Sequence, residues 1–87
     1  MASEVQMNVD EFSLLIQDVV MADPASLYKM ARSAGKKCST LIREANPYDG
    51  GAKMGVDTLL KVMESSGDVR PLLYMARKMG LELRKQP

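Results

Sequence analysis

A chain of 87 residues with 46% hydrophobic and 26% charged residues has the length and balance of one small domain with a modest core. It contains no histidine and a single cysteine, Cys38, which removes the usual general base, the commonest metal ligand, any internal disulfide and any CxxC site. The formal net charge is only +1, so attraction to a polyanion must come from where the charges sit.

No stretch reaches the ~18 consecutive apolar residues of a membrane span, and MASEVQMNVDEF is acidic where a secretory leader is basic. The expectation is a cytoplasmic protein with no membrane partner and no cofactor.

In NVDEFSLLIQDVVMAD, the residues Val9, Phe12, Leu15, Ile16, Val19 and Val20 recur at spacings of three and four, which predicts a helix ending near Ala22. Asn8 is its expected N-cap, with Glu11 answering it. Asp23 followed by Pro24 restarts the chain as a second helix, since aspartate can cap free amides and proline fits the first helical position. Leu27, Met30, Ala31 and Ala34 form its inner face, and Gly35 stands where a left-handed terminating residue is needed. Cys38, Leu41, Ile42 and Ala45 then predict a third helix over residues 38–46, stopped by Asn46-Pro47.

The stretch YDGGAKMG reads as a loop. Val56, Leu59, Leu60 and Met63 mark the inner face of a fourth helix, closed by Ser65-Ser66-Gly67. Asp68 can cap a fifth helix with Pro71 in its first turn, Val69, Leu72, Leu73, Ala76 and Met79 facing inward, and Gly80 at its end. Met30, Met63, Met75 and Met79 fall at core spacing and read as gap-fillers. The fold class is all-α: a single five-helix domain over residues 9–83, with an N-terminal arm (1–8) and a C-terminal tail (84–87).

The second and third helices have the marks of a helix-turn-helix. Such a motif needs a small residue where the helices touch, a left-handed residue in the bend and an apolar residue returning from the second helix to the first. Ala31, Gly35 and Leu41 supply these, with Cys38 as a small apolar filler. Charge follows the same division. The region up to Asp23 holds Glu4, Asp10, Glu11, Asp18 and Asp23 without a cation, whereas Pro24 to Arg43 holds Lys29, Arg32, Lys36, Lys37 and Arg43 without an acid. A local basic surface is what phosphate binding requires.

The segment LYKMARSAGKKCSTLIREANP resembles the helix-turn-helix of the CII-type regulatory proteins of temperate bacteriophages, a family separate from the lambda protein of the same name. The shared pattern is A-x-x-A-G, four residues, T-L, four residues, N-P, met here by Ala31, Ala34-Gly35, Thr40-Leu41 and Asn46-Pro47. MGVDTLLKVMESSGD and VRPLLYMARKMGL fall where that family has its fourth and fifth helices. The resemblance implies a lambda-repressor-like DNA-binding domain serving a phage or prophage lysis-lysogeny decision in a bacterial host cell.

If the third helix enters the major groove, Lys37, Ser39, Thr40 and Arg43 leave its outer face and are the candidate base-reading residues. Arg43 is the best single specificity candidate, because arginine can donate to guanine. Ser26, Lys29, Arg32 and Lys36 are the candidate phosphate contacts. Recognition of a two-fold operator requires a homodimer, for which Leu73, Met79, Leu81 and Leu83 offer a self-association surface. Catalysis has little support: Asp10, Glu11 and Glu64 have no partner acid or base at a telling spacing, and GGAKMG lacks the GK[ST] ending of a phosphate loop. The alternative is a small helical module that binds a host regulator or polymerase subunit through an apolar groove.

Overall fold

The computed structural model describes residues 10–86. Among them are five helices and no strand: α1 (Glu11–Met21), α2 (Pro24–Ser33), α3 (Cys38–Ala45), α4 (Val56–Ser66) and α5 (Arg70–Lys78). None is long and apolar enough to cross a membrane.

Local chemistry sets the helix ends. Asp10 is extended and its carboxylate accepts the Ser13 amide at 2.7 Å, satisfying one of the free donors of the first turn of α1. Asn8 and Val9, expected in the cap and the helix, lie outside the described residues. Asp23 caps α2 as expected, with Pro24 directly behind it. At the far end of α2 the backbone turns left-handed at Gly35, φ +69°. The Lys36 amide then donates to the Ala31 carbonyl at 2.9 Å and the Gly35 amide to the Arg32 carbonyl at 3.1 Å. This pair of bonds closes the last carbonyls of the helix in the manner of a Schellman turn. Residues 79–81 end α5 in the same way, with Gly80 at φ +74° and the Leu81 amide 2.8 Å from the Ala76 carbonyl. Asp68 stands one residue before the N-cap Val69, yet its carboxylate accepts the Arg70 amide at 3.1 Å and so serves the expected capping role.

The core is built by α1 to α4. Val19 and Val20 from α1, Met30 and Ala31 from α2, Leu41 and Ala45 from α3, and Val62 from α4 form one buried cluster. Leu15, Ile16, Leu27, Cys38 and Met54 pack around it. α2 lies against α4, and α3 against both α1 and α2, so the α2–α3 pair is anchored from behind by the rest of the domain.

Two expected inner faces are corrected. On α4 the buried stripe is Thr58 and Val62, while Val56 and Leu60 are 85% and 51% exposed. Val56 and Leu60 precede that stripe by two residues, about 200° around the helix at 3.6 residues per turn, so the two apolar sets cannot both face α2. On α5, Ala76 is buried as expected, but Val69, Leu72, Leu73 and Met79 are exposed, and Pro71 is the other buried residue. α5 packs beside α1. Phe12 and Tyr74 stack there with centroids 5.2 Å apart, and Arg70 reaches Asp18 at 2.9 Å. Met79 is therefore a surface residue and fills no gap.

Candidate nucleic-acid interface

The α2–turn–α3 segment carries a continuous polar and basic face. Leu41 and Ala45 are buried and Cys38 is half-buried, which orients α3 with Ser39 and Arg43 exposed and Thr40 half-buried. Lys37, the N-cap residue of α3, makes no side-chain capping bond, as a lysine cannot accept one. The first-turn amides of α3 are thus left without a side-chain acceptor, and they carry the positive end of the helix dipole.

A shallow depression of about 200 Å³ lies beside that helix start, lined by Tyr28, Ala31, Arg32, Lys36, Lys37 and Cys38. The helix amides together with the exposed Arg32 and Lys37 form a donor-rich, cationic surface of the kind that accepts a phosphate. Tyr28, 61% exposed, was not singled out from the sequence. Its only signal there was an aromatic residue off the apolar stripe of α2.

The candidate residues divide into free and engaged cations. Lys29, Arg32 and Lys37 are exposed. Lys36 is not free: its ammonium lies 2.8 and 2.6 Å from the two Glu44 oxygens, and both side chains are largely covered. Its charge is balanced within the domain. Ser26 is also committed, donating to the Asp23 carboxylate at 3.2 Å. That carboxylate accepts the Ala25 amide as well, so the start of α2 already holds an anion and would repel a phosphate. Arg43 keeps its guanidinium on the surface while its Nε donates to Asp49 at 3.1 Å. Glu44 and Asp49 were not read as partners because each ion pair forms across a bend whose path the residue spacing does not give.

The proposed self-association residues form a second, separate surface. Leu73, Leu81 and Leu83 line a groove of about 310 Å³ with Ala76 and Arg77, and Met79 is exposed outside that lining. A third concavity, of about 340 Å³ and almost wholly apolar, lies between α1, α4 and α5 and is lined by Phe12, Ile16, Leu59, Leu60, Met63 and Met75 among others. No family model, curated protein or solved structure matches this chain.

Proposed function

We propose that this chain is a sequence-specific DNA-binding regulator of transcription, of the temperate-phage kind that its α2–α3 sequence resembles, working without a cofactor and without catalysis. The observation that carries the reading is the join of α2 to α3. A left-handed glycine turn joins α3 to α2 beside the exposed Arg32 and Lys37, with no side chain capping the α3 amides, and Lys29 is exposed on α2. In this reading the pair acts as a lambda-repressor-like helix-turn-helix. α3 lies in the major groove of double-stranded DNA, where Lys37, Ser39, Thr40 and Arg43 meet base edges. Lys29, Arg32 and the start of α3 hold the backbone phosphates. Two copies meet through the Leu73, Leu81 and Leu83 groove, because one module with so few base contacts cannot separate its site from competing sequence. The working compartment is the cytoplasm of a bacterial host.

The test is a salt-titrated binding assay against a selected duplex and a scrambled one. Arg43→Ala should weaken binding to the selected site by about 1–3 kcal/mol and leave the scrambled duplex nearly unaffected, whereas Lys29→Ala should weaken both and reduce the salt slope by about one. If both variants bind like the parent, this face does not meet DNA.

A second reading draws on the apolar concavity between α1, α4 and α5, with Leu60 and the neighbouring Val56 left in solvent. There the chain is a helical adaptor for a host protein. Retention on one host protein without salt-sensitive DNA binding would select it.

A further inference from the structure

The loop that follows α3 is built around one carboxylate. Asn46 accepts the Tyr48 amide through its side chain at 2.9 Å, and the Asp49 amide donates to the Asn46 carbonyl at 3.1 Å, which turns the chain back toward the last turn of α3. Asp49 then uses both oxygens. Oδ1 accepts the Gly51 amide at 3.0 Å, and Oδ2 accepts the Arg43 Nε–H at 3.1 Å. The Arg43 hydrogen bond, followed by that from Gly51, holds the Asp49 carboxyl below the usual aspartate range, so the clamp is charged at neutral pH.

The effect falls on the guanidinium. Arginine can fork onto guanine O6 and N7 either through Nε and one terminal nitrogen or through both terminal nitrogens. Nε is taken by Asp49, so only the end-on fork remains. The contact biases a side chain that would otherwise sample many rotamers towards one arrangement, and a preorganised group loses less freedom on binding. As a surface pair with the arginine side chain 63% exposed, the contact adds little to fold stability. Its effect on orientation is the larger one.

We propose that Asp49 is a positioning residue for base recognition, holding Arg43 end-on so that each half of the operator is read through one guanine; the inference rests on the DNA-binding reading above. The substitution Asp49→Asn would keep an acceptor for the Gly51 amide, and so the turn, while losing the charged clamp on Nε.

The experiment selects a duplex from a randomised pool with the parent protein. It then measures binding of the parent, Asp49→Asn, Arg43→Lys and the double variant to that duplex and to versions carrying adenine or 7-deazaguanine at each guanine. For the parent, one guanine in each half-site should matter by roughly 5- to 150-fold against adenine, and 7-deazaguanine, which lacks the N7 acceptor, should lose much of that. Asp49→Asn should shrink the preference by roughly 2- to 12-fold, the freedom of one long side chain. It should bind scrambled DNA at least as well as the parent, since a carboxylate has been neutralised, and it should melt only slightly below the parent, as the loss of one exposed ion pair requires. Arg43→Lys, which lacks the rigid planar fork, should weaken the preference, and adding Asp49→Asn to it should change nothing further. A preference kept within twofold in Asp49→Asn, or a site with no guanine sensed through Arg43, overturns the proposal and leaves DNA binding standing. A parent with no salt-sensitive DNA binding overturns both.

Discussion

Leu41→Ala tests the packing on which the whole α2–α3 arrangement depends. Leu41 is fully buried in a cluster to which α1, α2, α3 and α4 all contribute, and α3 has only Ala45 as a second fully enclosed apolar residue. Truncation removes the main apolar anchor of an eight-residue helix too short to persist by itself. Buried Leu→Ala changes cost about 2–5 kcal/mol, and the surroundings here include stiff Val19, Val20 and Val62, which limit collapse into the gap. A domain of this size has roughly 4–13 kcal/mol in total. At about 4–8 °C per kcal/mol, a loss of about 3 kcal/mol lowers the melting midpoint by roughly 12–24 °C. Circular dichroism melting of parent and variant reads this directly. A midpoint within a degree or two of the parent's would mean Leu41 is not enclosed, and the orientation of α3 deduced from it, with Ser39 and Arg43 outward, would fall with it.

Gly35→Ala should cost about 1 kcal/mol and Gly35→Val more, because φ there is +69° while an added Cβ meets no atom within 4 Å; the strain is in the backbone alone. Denaturant titration measures it, and a neutral Gly35→Val would contradict the left-handed turn. The melting temperature should be flat between about pH 5 and 8, since no histidine is present. It should fall below about pH 4, because Asp10, Asp49 and Asp68 have folded-state pKa values held down chiefly by Ser13, Arg43 and Arg70 respectively. The folded state then binds fewer protons than the unfolded one, so the stabilisation is complete above the unfolded pKa and is lost as acid protonates the folded carboxylates. Melting curves across that range decide it. Lys36→Gln should change the salt slope of DNA binding by less than half of the change seen for Lys29→Gln, because Glu44 already balances the Lys36 charge; equal changes would mean the ion pair opens on DNA.

Helix positions were legible wherever a residue acts through its own backbone neighbourhood. Asp23-Pro24, Gly35 and Asn46-Pro47 each dictate a local event, and the chain starts, turns or stops there as their chemistry requires. Inner faces were legible on α1 to α3, where one apolar stripe dominates. They were not on α4 and α5. VDTLLKVM offers two apolar stripes, and the choice between them is made by α2, a partner distant in sequence. On α5 the buried residues are the small ones: Ala76 was legible from its spacing, whereas Pro71, read only as a first-turn residue, was passed over in favour of large apolar side chains. The basic character of residues 24–43 was visible, but the neutralising Glu44 and the clamping Asp49 come from beyond that run, one across the turn and one from the loop after α3.

Whether the outer face of α2 and α3 meets DNA is tested residue by residue by mapping backbone amide chemical shifts while a mixed-sequence duplex is added at low salt. Shifts centred on Lys29, Arg32 and residues 36–43 are expected, reversing as salt is raised, with Val56, Leu60 and Met63 unmoved. Shifts confined to the apolar concavity of α1, α4 and α5, or none at all at low salt, would contradict DNA binding through this face.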